Sequence, residues 1–141
     1  MILRFGVALV LGALMGLERE MVGKEAGIRT SLVVSGGAAI FTIIGLVLPE
    51  LTGTAPNGAG FTVIASIVTG IGFLGAGIII KTEGHVRSLT TAAVIWTTAS
   101  IGVLAGMGLF EFAATAAVGL TILLYLLRKL DVADRVHPSK D

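Results

Sequence analysis

Apolar residues run along this chain in five stretches: Ile2 to Leu17, Ser31 to Leu48, Phe61 to Ile80, Leu89 to Ala105, and Leu109 to Leu127. Crossing the hydrocarbon core of a bilayer takes about 20 helical residues, and each stretch comes near that length. The pattern predicts an all-α fold, a polytopic membrane bundle of five transmembrane helices over residues 1–130, with a tail over 131–141. The first stretch is short and must use Arg4 as a snorkelling end residue. The breaks have turn chemistry: Pro49-Glu50 with Thr54-Ala55-Pro56-Asn57-Gly58 makes a turn-rich loop, and Gly106-Met107-Gly108 a tight one.

Composition agrees. The chain is 55% hydrophobic and 13% charged over 141 residues, and its mean hydropathy is +0.98, where a soluble domain carries roughly a quarter charged residues. Beside five spans, 141 residues are expected to leave no sizeable aqueous domain. The first stretch, following Arg4, superficially resembles a secretory signal peptide, but it runs straight into charge and further spans, so an uncleaved helix is expected. With no cysteine and only His85 and His137, disulfides, thiolate chemistry and a structural zinc site lack their ligands. The formal charge of +1, with dispersed basic residues and no interleaved aromatics, gives no nucleic-acid footprint.

Charge fixes an expected orientation. Nine of the ten Lys and Arg residues fall in the first and third inter-helix breaks or after the fifth stretch; Arg4 is the exception. By the positive-inside rule those segments are cytoplasmic, so the amino terminus faces out and the carboxyl tail in.

Small and hydroxylated residues recur at helical spacing on three stretches: Ser31, Ser35 and Thr42; Thr62, Ser66, Thr69, Gly70, Phe73 and Gly77; and Thr90, Thr91, Thr97 and Thr98. Such stripes serve helix packing or line a polar path. Gly12 and Gly16 make a GxxxG pair suited to a helix contact or a dimer face. Trp96 falls mid-helix, where its indole N–H needs a buried acceptor, and Tyr125 sits like a belt residue. Gly70-Ile71-Gly72-Phe73-Leu74-Gly75 matches a dinucleotide fingerprint in letters only, because it lies inside an apolar span. Gly70, Gly72, Gly75 and Gly77 are therefore expected to smooth the third helix for close packing, or to break it at a binding site. Gly27-Ile28-Arg29-Thr30-Ser31-Leu32 and His85-Val86-Arg87-Ser88-Leu89-Thr90 open the second and fourth helices alike, as in a two-helix unit used twice in one orientation.

The densest chemistry is a knot of charge. Glu18, Arg19, Glu20, Lys24, Glu25 and Arg29 place six of the nineteen charged residues within twelve positions. Thr30 or Ser31 is expected to cap the second helix and Ser88 or Thr90 the fourth. With Arg29 and Arg87 alongside, these starts could hold an anion such as phosphate or a lipid head group; alternatively Glu18 and Glu20 are themselves the anions, paired with Arg29, Arg87 or Arg19. Glu18 and Glu20 could share a hard cation only if the helix unwound after Leu17. Glu111 suits the start of the fifth helix, Glu50 lies at the outer boundary, and Lys81, Glu83, His85 and Arg87 make a solvated turn.

Four motifs in order, Gly16-Leu17-Glu18-Arg19-Glu20, Gly27-Ile28-Arg29-Thr30, Gly70-Ile71-Gly72-Phe73-Leu74-Gly75-Ala76-Gly77, and Leu89-Thr90-Thr91-Ala92-Ala93 through Trp96 to Ile101-Gly102, resemble the MgtC/SapB membrane-protein family. The resemblance runs from about Gly12 to Gly108. It implies a five-helix, multi-pass protein of the bacterial inner membrane, linked to growth in low magnesium and to survival of pathogens in host cells, and, for the founding member, to inhibition of the membrane ATP synthase. Many members carry a soluble carboxyl-terminal domain, which a chain ending at Asp141 is expected to lack.

The function expected is thus non-enzymatic: magnesium or phosphate homeostasis and stress or virulence adaptation, exerted on other membrane proteins such as the ATP synthase. The chain is expected to sit in the lipid bilayer as a homo-oligomer, a dimer favoured, without cofactor or nucleic acid. Contact residues are Glu18, Arg19, Glu20, Arg29, Thr30, Arg87, Thr90 and Thr91, with Gly70, Gly72, Gly75, Gly77 and Trp96 in packing or a pore. A transporter or channel for an ion or small anion is the alternative. Enzymatic acid–base or nucleophilic chemistry lacks its parts.

Overall fold

The computed structural model describes residues 1–53, 58–82 and 85–129. Its elements there are α1 (Ile2–Met21), α2 (Ile28–Thr52), α3 (Ala59–Ile78), β1 (Ile80–Thr82), β2 (His85–Arg87), α4 (Leu89–Met107) and α5 (Phe110–Lys129). Each apolar stretch is a helix. α2, α3 over Gly60–Ile78, α4 and α5 are long and apolar enough to cross a membrane. α1 has 20 residues but holds Arg4 near one end and Glu18, Arg19 and Glu20 near the other.

Several boundaries differ from expectation, two of them in kind. α2 continues through Pro49 to Thr52 and ends at Gly53 in the left-handed conformation. Proline there removes one backbone donor near the helix end, and the helix runs on past it to Thr52. The stretch from Lys81 to Arg87 is more than a turn: β1 and β2 pair antiparallel, Ile80 opposite Arg87, Lys81 opposite Val86, and Thr82 opposite His85. β-branched Ile80, Thr82 and Val86 favour extended backbone. Glu83, the loop 54–57 and the tail 131–141 lie outside the described residues.

α1, α2 and α4 form the centre; α3 packs on α2 and α4, and α5 on α1 and α4. The centre is close because glycines let backbone meet backbone. A Cβ on Gly12 would stand 2.6 Å from Ser35 Cβ, and one on Gly16 2.6 Å from Ile28 Cα, so this GxxxG pair belongs to the α1–α2 contact. On the other side of α2, Gly102 abuts the Ser35 backbone, and Gly106 lies against Ala39, its carbonyl oxygen 2.9 Å from an added Cβ. Ser35 is fully buried and its hydroxyl donates to the Ala8 carbonyl at 2.8 Å. The stripe Ser31, Ser35 and Thr42 is buried throughout and belongs to packing. Ala8, Met15, Ala39, Ile101, Ala105, Ala113 and Ala117 fill the core around it.

The pairings Ser35 with Gly102 and Ala39 with Gly106 advance together, so α2 and α4 run parallel, as the similar starts of the two helices suggest. α1 runs against both: Ala8 meets Ser35, and Gly16 meets Ile28. Arg4, at the start of α1, therefore reaches the end of α4 and donates to the Gly106 carbonyl at 3.2 Å, where a cation suits the helix dipole. Gly108 closes α4 with φ +88, the Gly108 and Leu109 amides returning to Ala105 and Leu104.

Gly102→Ala is expected to destabilise the bundle by about 1–3 kcal/mol through forced separation of α2 and α4. Gly72→Ala, whose Cβ would meet nothing within 4 Å, should leave stability unchanged or raise it by up to about 1 kcal/mol through helix propensity. Thermal unfolding in detergent compares them, and equal melting of the two variants would contradict the packing.

Candidate functional site

The knot of charge sits where α1 stops. The helix continues past Leu17 to Met21, then closes with Gly23 at φ +64, the Gly23 amide donating to Glu20 and the Lys24 amide to Arg19. Because α1 stays helical, Glu18 and Glu20 point to different sides. Glu20 is exposed, and its Oε2 accepts from the Ile28 amide at 2.9 Å, capping the first turn of α2 from outside. Gly27 makes room: a Cβ there would stand 2.7 Å from that oxygen. Glu18 and Arg19 face inward, 4% and 6% exposed.

Burial obliges both to find partners. Arg19 Nη2 donates to Thr91 Oγ1 at 2.9 Å, joining the end of α1 to the start of α4. Glu18 Oε1 lies 3.6 Å from Arg128 Nη1 near the end of α5, and the Arg128 side chain, 42% exposed, leans over the Tyr125 ring at 5.3 Å. Across the gap Ser88, at φ +64, donates its hydroxyl to Glu25 Oε2 at 2.8 Å. Between these elements opens a cleft of about 720 Å³, walled by Glu18, Arg19, Lys24, Glu25, Arg87, Ser88, Thr90, Thr91 and Arg128 with apolar Val22, Leu89, Leu124 and Leu127. Among the described residues, Glu18 Oε2 and Arg19 Nε find no hydrogen-bond partner.

Of the residues expected at a contact site, Glu18, Arg19, Arg87, Thr90 and Thr91 converge on this cleft. Arg29 and Thr30 are exposed and take no part in its walls, because they lie on the outer face of the first turn of α2. The expected pairing of Glu18 with Arg29, Arg87 or Arg19 is replaced by Glu18 with Arg128, since α5 brings its last turn beside α1. Neither Thr30 nor Ser31 caps α2; Glu20 does, while the Ser31 hydroxyl turns to the Ala26 carbonyl. α4 starts at Ser88 without a side-chain cap, the hydroxyl being spent on Glu25. Glu18 and Glu20 do not converge on one ion, and among the described residues no group of three or more His, Asp and Glu side chains could hold a metal.

α3 is unbroken, and a Cβ on Gly70, Gly72 or Gly77 would meet nothing within 4 Å, so these glycines serve no close approach inside the protomer. Gly75 is the exception, 3.6 Å from Ala92. The hydroxyls of Thr62, Ser66 and Thr69 bond to their own helix. Trp96 is 48% exposed, lining a shallow apolar groove with Ile64, Ile67 and Phe112, so it faces outward from the bundle rather than into its core. Arg128 is the site residue that sequence reasoning overlooked; its spacing of three from Tyr125, one helical turn, was the available signal.

Thr91→Val keeps the shape but leaves Arg19 without its acceptor, and should cost about 1.5–3 kcal/mol as a lost hydrogen bond to a charged group. Thr90→Val, at an exposed neighbour, should change the melting temperature little. Similar melting of both variants would show that the Arg19 bond carries no stability.

Known proteins share this sequence over nearly its full length. The MgtC family model matches residues 5–133. The chain is 43% identical over 136 residues to Protein MgtC of Salmonella typhimurium strain LT2, covering 96% of this chain and 55% of that protein. It is likewise 43% identical over 123 residues to Protein MgtC of Brucella abortus strain 2308, covering 87% of this chain and 49% of the relative. It thus spans about half the length of the curated relatives it matches. No solved structure matches it. The matched region contains the central helices, the cleft and the charged end of α1, and the chain, a multi-pass membrane protein by its apolar helices, belongs to the MgtC family.

Proposed function

We propose that the chain is a non-enzymatic protein of the bacterial inner membrane that acts from the cleft at its cytoplasmic end on ion and phosphate homeostasis. α1 is the fifth span: 20 residues of helix reach about 30 Å, and Arg4 at its start is satisfied by the end of α4. Arg19, Lys24, Arg29, Lys81, Arg87, Arg128 and Lys129 all lie toward one end of the bundle, where α1, α3 and α5 finish and α2 and α4 begin. That asymmetry supports an outer amino terminus and an inner carboxyl end.

The observation that carries the proposal is the Glu18–Arg19 pair of adjacent residues, buried yet incompletely satisfied, in the wall of a cleft at the basic end. Structural ion pairs are normally completed by hydrogen bonds; unsatisfied polar groups just beneath the wall of a cleft are suited to contact. Membership of the MgtC family supports magnesium homeostasis and adaptation to stress or a host as the setting. Other inner-membrane proteins, the ATP synthase among them, are the proposed targets, with the chain working as a homo-oligomer, a dimer favoured.

Growth in low magnesium tests this in a strain depending on the chain. Arg87→Ala, in the cleft wall, should fail to restore growth at normal protein level, while Arg29→Ala, outside it, should restore growth fully. Normal growth with both variants, at levels matched by immunoblot, would remove the cleft from the function.

A further inference from the structure

The cleft holds two unsatisfied groups of opposite kind. Among the described residues Glu18 Oε2 finds no donor and Arg19 Nε–H no acceptor, and both side chains are more than nine-tenths buried. An occupant completing them must donate to one and accept from the other. It must also be an anion, because Arg19, Lys24, Arg87 and Arg128 face only Glu18 and Glu25 in the wall, and the uncapped start of α4 adds backbone donors. Water answers the first demand and not the second, and a cleft of about 720 Å³ is far larger than the roughly 30 Å³ of a water molecule.

Building on the cleft as the working site, we propose that it binds a phosphate group that retains a proton. One P–O⁻ accepts from Arg19 Nε–H, others take the start of α4 and the Arg87 and Arg128 guanidiniums, and the P–OH donates to Glu18. Both atoms are covered by the wall as it stands, so binding requires the Glu18 carboxylate to turn about its soft terminal torsion and the Arg19 side chain to shift with it. A carboxylate in the wall then selects for protonation. Sulfate carries no proton near neutral pH and leaves Glu18 facing an anion, and a phosphodiester head group has no P–OH to offer. Hydrogen phosphate keeps a P–OH at neutral pH and satisfies the site there, whereas the monoester head group of phosphatidic acid, with a second pKa of about 6, satisfies it once that proton is taken up.

The full chain in nanodiscs of phosphatidylcholine and phosphatidylglycerol, titrated calorimetrically with inorganic phosphate and separately with sulfate, tests this. Phosphate is expected to bind at least about tenfold more tightly than sulfate, the equivalent of one charge-assisted hydrogen bond. Glu18→Gln, whose amide can donate, should abolish that preference by raising sulfate affinity. If that variant does not fold, Arg87→Gln should weaken phosphate binding several-fold at unchanged melting temperature. Discs containing phosphatidic acid separate the sources: stabilisation by that lipid with no response to soluble phosphate assigns the head group, and saturable binding of soluble phosphate assigns the free ion. Sulfate binding as tightly as phosphate, or no effect of phosphate or phosphatidic acid beyond that of phosphatidylglycerol, would overturn the inference. Loss of growth in Arg87→Ala without phosphate binding would overturn this inference alone; phosphate binding with normal growth of that variant would overturn the functional reading alone.

Discussion

Around Ser35 the backbone of α2 is touched from both sides, by Gly12 of α1 and Gly102 of α4. Bilayer-embedded helices gain little from excluding lipid and rely on close van der Waals packing, so this contact sets the spacing of the central three. It also sets their direction. With α1 against α2 and α4 parallel to α2, the end of α1 must meet the start of α4, and its beginning the end of α4. Arg19 on Thr91 and Arg4 on the Gly106 carbonyl are the two outcomes. A larger residue at Gly12 or Gly102 would move both ends apart along with the middle.

The ends differ in what they must solve. Arg4 is a single cation at a helix end that already carries partial negative charge, and one hydrogen bond suffices. At the other end two adjacent ionised side chains are buried together, where removing them from water costs several kcal/mol each unless partners replace the lost hydration. Thr91 and Arg128 replace part of it, from two different helices. The pair therefore ties α1 to α4 and α5 at the price of remaining incompletely satisfied, and that incompleteness makes the cleft chemically active rather than merely hollow.

Much of this was legible in the sequence. Five apolar stretches became five helices because their lengths and breaks leave little freedom, and Gly12 with Gly16 read correctly as a close helix contact. The partners were not legible. Gly102 and Gly106 repeat the spacing of Gly12 and Gly16, but the spacing does not say which helix they meet, and Gly106 also looks like part of a turn beside Gly108. The glycines of α3 show the converse limit: glycine makes close approach feasible without saying that a neighbour approaches, and at Gly70, Gly72 and Gly77 none does within the protomer. Arg128 sat among several basic residues near the carboxyl end, and only the packing of α5 on α1 distinguishes it.

The similar starts of α2 and α4 sharpen the point. α2 carries Arg29 in its first turn and α4 follows Arg87 at the end of β2, both helices begin at the same end of the bundle, and in isolation the start of each would attract an anion. The difference lies in what each is given by the chain before it. Glu20, carried on the last turn of α1 and admitted by Gly27, delivers a carboxylate to the Ile28 amide and fills the first start. At the second, the ladder of β1 and β2 leads into Ser88 in a left-handed conformation, which turns its hydroxyl outward to Glu25 and leaves the first turn of α4 without a side-chain cap. Two helix starts that look alike in sequence thus become one closed joint and one open cleft, and the charged turn of α1 takes part in both.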